Sequence, residues 1–216
     1  MDSSKVRVIS NPVVLQNLCT MRDKNTDSQG VRIATRKITR CLLYEDAKNL
    51  PLVEKEITTP LATFKAKTID EDIKLIISPI LRAGLIFTDE AIDILPQACI
   101  RHIGMYRDEK TLKPIWYYNK VPMVAENPEK FYIYITDPML ATGNSLLEAI
   151  KLYAEKGIPI SHIKCICIIA APEGIENIQK NFPDVEIIAA AIDEKLNERG
   201  YIVPGMGDAG DRIFNT

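Results

Sequence analysis

The sequence predicts an α/β fold, a mostly parallel sheet flanked by helices, with residues 1–216 forming one domain. Short apolar runs recur along the chain: "KLIISPI" (74–80), "FYIYIT" (131–136), "HIKCICIIA" (162–170) and "VEIIAAAI" (185–192). Stretches with helical periodicity separate them. Several runs are apolar throughout rather than alternating, as in strands covered on both faces.

The elements follow in order. "NPVVLQNLCTMRD" and "SQGVRIATRKITRCLLYEDAKNL" have helical periodicity and form an N-terminal helical extension packed on the sheet. "VEKEITTPLATFKAK" alternates like edge strands. "KLIISPI" is a strand, and "AGLIFTDEAIDIL" a helix that stops before Pro96. "ACIRHIGMY" reads as a single strand. A polar, proline-punctuated insertion follows Arg107, and its "IWYYNKVPMV" is a candidate hairpin arm. After the strand "FYIYIT", Leu146, Ile150 and Tyr153 share one helix face and Gly157 ends that helix. "HIKCICIIA" is a strand, "PEGIENIQKNF" a helix with Pro172 in its first turn, and "VEIIAAAI" a further strand.

Composition excludes several classes. A hydrophobic content of 46% with 26% charged residues suits a globular domain with a sizeable core. The net charge of -2 offers no generic nucleic-acid or anionic-membrane surface. The start "MDSSKVRV" is not a signal peptide, and no apolar run is long enough to span a bilayer, so a cytoplasmic location is expected. Five scattered cysteines argue against a disulfide framework. Cys165 and Cys167 lie on one face of a strand, and no second pair or spaced histidine completes a zinc site, so both are packing thiols. His102 and His162 lack a nucleophile motif, and a strand-end role suits His102.

Two stretches carry chemistry. In "YITDPMLATGNSLLEAI" a strand ends in Asp137 and passes through Ala141, Thr142, Gly143, Asn144 and Ser145 into a helix. Unpaired N–H groups at that helix start suit a phosphate, with Asp137 facing an attached sugar. An ordinary N-cap by Thr142 or Asn144 explains the local chemistry equally well. Near the C-terminus, Gly205, Gly207 and Gly210 spell G-x-G-x-x-G. A dinucleotide site needs a following helix and a later acid, and the six residues after Gly210 leave room for neither.

Several of these segments together resemble one family. "TDPMLATGNS", with its Asp137-Pro138-Met139-Leu140 form, is similar to the phosphoribosyl-diphosphate (PRPP) motif of uracil phosphoribosyltransferases. "MRDKNT", "SPILRAGL", "HIGMYRDEKTLKP", "YYNKVP" and "GYIVPGMGDAGDRIF" resemble segments of that family in the same order. Arg101 and Asn215 stand where glycine is expected, and the "ENPEKF" approach to the PRPP strand is longer than usual.

The resemblance implies the type I phosphoribosyltransferase fold, with a hairpin arm and a C-terminal base-binding hood. Its reaction is uracil + PRPP → UMP + diphosphate, a pyrimidine salvage step. Asp137, Pro138, Met139, Leu140, Ala141, Thr142, Gly143, Asn144 and Ser145 would hold the ribose and its 5-phosphate. Arg82 and Arg107 would bind diphosphate, and Arg107 would start an insertion that closes over it. Ile202, Gly207, Asp208 and Ala209 would meet uracil, with the Asp208 carboxylate turned toward PRPP. Catalysis would then rest on Arg82, Arg107, Asp137 and Asp208. Magnesium would arrive on PRPP rather than in a protein cage. A homodimer or higher homo-oligomer is implied, with GTP as a candidate regulatory nucleotide and neither nucleic acid nor membrane as partner. The rivals are a phosphoribosyltransferase for orotate or a purine, and an RNA-binding regulator built on this fold. The glycine clamp argues against the first and the mild acidity against the second.

Overall fold

The computed structural model describes residues 5–107, 114–121 and 126–216. Helices α1 (Pro12–Arg22) and α2 (Ser28–Ala47) start at side-chain caps, Asn11 accepting from the Val14 N–H and Asp27 from the Gly30 N–H. Their apolar faces pack on one side of the central sheet together with α3 (Thr88–Ile94), in a core that holds Met21, Ile38, Leu42 and Phe87. Helices α4 (Asn144–Ala154) and α5 (Pro172–Asn181) cover the other side around Ile150, Tyr153 and Ile175. Strand residues divide by parity: Leu75 and Ile77 join the first core, Ile76 and Ile80 the second.

Among the described residues the central sheet has eight strands. These are β1 (Val6–Val8), β4 (Lys74–Leu81), β5 (Cys99–Ile100), β6 (Ile103–Arg107), β7 (Pro114–Asn119), β8 (Phe131–Thr136), β10 (Ile163–Ile166) and β12 (Glu186–Ala189). Their order is β1-β12-β10-β8-β4-β6-β7, with β5 also on β4. All pairs are parallel except β6 with β7. From β4 the chain crosses outward to β6, whereas from β8 it crosses the other way to β10. The sheet therefore changes winding direction between β4 and β8, where a crevice opens beyond the strand ends.

Several expectations are corrected. Residues 53–67 do not edge the sheet: β2 (Leu52–Thr58) and β3 (Thr63–Ile69) pair only with each other, in register from Leu52↔Ile69 to Thr58↔Thr63. The edge belongs to β1, which pairs with β12. "ACIRHIGMY" is two strands, because Arg101 and His102 leave the ladder between them. There the Arg101 N–H donates to the Ile77 carbonyl, and the Ser78 hydroxyl to the Arg101 carbonyl. The helix after β4 begins as a 3-10 turn over Ala83–Phe87.

The two C-terminal apolar runs break in the same way. Short strands β9 (Met139–Leu140), β11 (Ile169–Ala170) and β13 (Ala191–Ile192) continue β8, β10 and β12 as a second parallel tier. Contrary to expectation a helix does form at the C-terminal glycines: α6 (Ala209–Phe214) starts before Gly210 and includes it, which gives it the room that the six following residues alone would not. Asn215 has φ 60°, a left-handed C-cap conformation, which accounts for the glycine expected there. Of the expected hairpin arm, the described part of "IWYYNKVPMV" includes β7, which folds back antiparallel on β6. Positions 108–113 and 122–125 of the expected insertion lie outside the described residues.

Candidate active site

At the crevice between β4 and β8 the structure brings together Asp137, Met139, Ala141, Ile202, Gly207, Asp208 and Ala209 of the predicted residues, whereas Arg82, Pro138, Leu140 and residues 142–145 do not line the cleft there. A cleft of about 230 Å³ is lined by Ala83, Asp137, Met139, Ala141, Tyr201, Ile202, Gly207, Asp208, Ala209 and Gly210, among others. Larger hollows occur elsewhere, and two of them, near 520 and 530 Å³, lie at the opposite end of the sheet, where Lys74 and Phe131 begin their strands. Ligands of open α/β sheets sit at the carboxyl ends, so the smaller cleft is the candidate site.

One wall is the turn after β8. Asp137 is half-buried, and loss of hydration pushes its carboxyl up to about 7, against the smaller opposing effect of the Met139 N–H at 3.4 Å. Pro138 and Leu140 are buried beneath it. Gly143 precedes α4 with φ 78° and no side-chain cap. The N-cap alternative is thereby removed: no side chain caps the start of α4, which leaves the first-turn N–H groups around Asn144 and Ser145 without a side-chain acceptor among the described residues.

This turn is held by residues that sequence reasoning passed over. A Cβ on Gly143 would lie 2.8 Å from the Gly174 carbonyl oxygen, and one on Gly174 would lie 2.3 Å from that of Ala141. The two backbones thus touch at a distance that only glycine permits. Asn177 of α5 donates through Nδ2 to the Thr142 carbonyl at 2.9 Å and to Asn144 Oδ1 at 3.0 Å. Their signal in the sequence was the helix "PEGIENIQKNF", but its position beside the turn depends on the crossover.

The second wall begins at Arg82, after β4. Its side chain is 60% exposed and only 3.5 Å from Asp211 Oδ1, a loose contact that leaves the guanidinium available. Gly84 brings this loop against β8, since a Cβ there would sit 2.6 Å from the Thr136 carbonyl oxygen. Arg107 ends β6, on the same side of the sheet as Arg82. Its side chain falls outside the described residues.

The third wall is the C-terminal hood. Strands β14 (Lys195–Leu196) and β15 (Ile202–Val203) pair antiparallel and lead into the Pro204–Asp208 loop and α6. Asp208 caps α6, accepting from the Asp211 N–H at 2.9 Å. Ile202 and Ala209 are buried against the core, while Gly207 is exposed with φ 83°. No three metal-ligating side chains gather among the described residues; Asp137 and Asp208 reach the cleft as single carboxylates.

Comparison with known proteins decides which chemistry this arrangement serves. The family model for uracil phosphoribosyltransferase matches residues 8–216. The chain belongs to the uracil phosphoribosyltransferase family. Its relatives of that name include one from Dictyoglomus thermophilum, 49% identical over 98% of this chain and 99% of the relative. Another, from Clostridium perfringens, is 47% identical over 99% of each chain. A solved structure from Aquifex aeolicus is 34% identical and superimposes with a TM-score of 0.88 over 97% of both chains. An adenine phosphoribosyl transferase from Trypanosoma brucei shares the fold, with a TM-score of 0.56 at 11% identity over 87% of this chain and 84% of that one. The type I phosphoribosyltransferase architecture expected from the family's motifs is therefore the observed one, a mostly parallel sheet between helices.

Proposed function

We propose the following roles for the cleft in the reaction of this family. The chain is a pentosyltransferase that joins N1 of uracil to C1 of the PRPP ribose and releases diphosphate, giving UMP. The C1–O bond to diphosphate breaks, the N1–C1 bond forms, and the N1 proton passes to the departing diphosphate. The observation that carries the assignment of residues is that Asp137, Ala141, Ile202, Gly207 and Asp208 line a single cleft at the β4–β8 crevice.

Asp137 accepts hydrogen bonds from the ribose hydroxyls. The segment Pro138–Ser145 wraps the 5-phosphate, Gly143 admitting it close to the backbone and Thr142 and Ser145 adding hydroxyl donors. Arg82 and Arg107 take the diphosphate, their planar forks matched to its oxygens. Uracil presents acceptor, donor and acceptor along O2, N3–H and O4. The hood answers with backbone groups around Gly207 and Ala209, while Ile202 packs on the ring. Magnesium bound on PRPP would neutralise diphosphate charge; the carboxylate oxygens of Asp137 and Asp208 in this cleft fit such a hard cation, and Asp208 would help hold it. Positioning and stabilisation of leaving-group charge supply the rate, with no covalent nucleophile.

Free cysteines, two of them buried, suit a reducing cytoplasm, and no helix among the described residues is long and apolar enough to cross a membrane. A homo-oligomer is part of the same proposal, supported by the exposed Leu52, Ile57, Leu61 and Phe64 of the β2–β3 ribbon. The test is conversion of labelled uracil to UMP, dependent on PRPP and magnesium, with cytosine as competitor. Cytosine reverses two edge groups, and a backbone clamp should reject it by about 10⁴-fold. Turnover of cytosine within about tenfold of uracil would refute the clamp.

A further inference from the structure

The motif "MRDKNT" near the start of the chain has no part in the cleft, yet its arginine is tied to the hood. Arg22 ends α1, and its guanidinium meets the Asp193 carboxylate as a fork, Nη1 to Oδ2 at 2.7 Å and Nη2 to Oδ1 at 2.6 Å. The Asp193 side chain is 5% exposed, so this pair is shielded from screening by solvent. Both members also hold the backbone of one residue, Gly205. Arg22 Nη1 donates to the Gly205 carbonyl at 2.9 Å, and the Gly205 N–H donates to Asp193 Oδ2 at 2.7 Å. Guanidinium, carboxylate and glycine backbone close a ring.

The ring has two rigid anchors. Asp193 follows β13, and its own N–H donates to the Ala170 carbonyl of β11 at 2.8 Å. Arg22 belongs to a helix whose Leu18 and Met21 are buried in the core. Arg212 of α6 closes the other side of the loop, donating to the carbonyls of Met21 at 2.7 Å, Met206 at 3.0 Å and Asp23 at 2.6 Å. Gly205 itself has φ 56°, and a Cβ there would lie 2.2 Å from the Ile202 carbonyl oxygen. Two residues beyond Gly205, the exposed Gly207 enters the cleft. None of Arg22, Asp193 and Arg212 lines that cleft.

We propose that the Arg22–Asp193 pair positions the uracil hood: it sets the place and direction of the Met206–Ala209 backbone, and so the affinity and choice of base, through Gly205. The inference rests on the assignment of the hood to uracil. The pair acts on the base more than on PRPP: Asp208 is the one proposed PRPP contact on the backbone it holds, and the turn at Asp137–Ser145 is braced separately by Gly174 and Asn177.

The experiment compares Arg22→Lys and Asp193→Asn with the parent enzyme. Lysine keeps the charge and loses the fork; asparagine keeps an acceptor for Gly205 and loses the charge. Uracil KM should rise about tenfold or more in both, as expected when a net hydrogen bond to the base is misplaced. The dissociation constant of PRPP, measured without uracil, should rise by clearly less than uracil KM, about threefold at most, because Asp208 alone of the proposed PRPP contacts lies on the moved backbone. Ile38→Val and Leu42→Ala, core truncations on α2, bracket the accompanying loss of Tm and should leave uracil KM unchanged. An unchanged uracil KM in the folded variants, equal weakening of PRPP, or a raised uracil KM in the core truncations would each overturn the proposal. Should neither variant fold, amide exchange in the parent decides, because rapid exchange of the Gly205 N–H is incompatible with a clamped loop. A parent that forms no UMP would defeat the uracil assignment itself. A competent parent with base-indifferent variants defeats only the positioning role.

Discussion

Replacing Gly174 by alanine sets two physical effects against each other. Gly174 lies in the first turn of α5 without a positive φ, so helix propensity alone predicts that alanine stabilises by about 1 kcal/mol. The added Cβ, however, would stand 2.3 Å from the Ala141 carbonyl oxygen and 2.8 Å from Leu140 Cδ1, where ordinary contact begins near 3.4 Å. Backbone on one side and helix on the other leave nothing flexible to yield. Overpacking of this kind costs about 1–3 kcal/mol, enough to cancel the propensity gain. The relief available is outward movement of the Ala141–Gly143 backbone by about 1 Å, and misplacement on that scale costs about 10²-fold in turnover. Gly174→Ala should therefore lower Tm slightly, weaken PRPP binding measured by titration calorimetry, and reduce kcat/KM for PRPP about 10²-fold. A variant with raised Tm and parental PRPP affinity would refute the claim that the Gly174–Ala141 contact fixes the phosphate turn.

Three further predictions concern ionisation and charge. The raised Asp137 pKa, near 7, means that the folded chain holds this proton up to that value, whereas an unfolded carboxyl loses it near 3.8. Its contribution to stability is fully present below the unfolded value and is lost as pH rises through about 7, which a series of thermal melts in the absence of ligand should record. Since ribose hydroxyls donate to the ionised form, PRPP affinity should rise over the same interval, and Asp137→Asn should flatten that rise. Asp208→Asn retains the α6 cap, which asparagine supplies equally well, but removes the charge, so PRPP affinity measured without uracil should fall. Intact affinity with single-turnover chemistry slowed about 10²-fold would make Asp208 the base instead. Replacing Cys165 and Cys167 by alanine should cost about 1 kcal/mol each in a denaturant titration and leave turnover intact. Burial pushes both thiols up, away from the reactive thiolate, and stoichiometric zinc lost with activity in that variant would contradict the packing role.

What the sequence by itself determined was the set of local elements and the chemistry they carry. Runs such as "FYIYIT" and helices such as "GNSLLEAIKLYA" are legible because apolar periodicity reflects burial on one or both faces, and β8 and α4 fall where that periodicity ends them. The turn proposed to hold phosphate was marked by small residues between a strand end and a helix start, a pattern that an ordinary N-cap shares. Resemblance of several ordered segments extended this to uracil and PRPP. Tertiary structure decided everything that depends on distant backbones meeting. Whether residues 53–67 join the sheet or pair alone is invisible to alternation, which is satisfied either way, and the edge went to Val6–Val8. Breaks such as Arg101-His102, and the second tier of strands, follow from hydrogen bonds to neighbours that local sequence does not name. The braces of the site show the same division: Gly174 lies some thirty residues from the turn it touches, and Arg22 is separated from Asp193 by 171 positions. A glycine at a helix start or an arginine at a helix end carries no local mark of such a partner. Only the crossover that places α5 beside the turn, and α1 beside the hood, gives those side chains their roles.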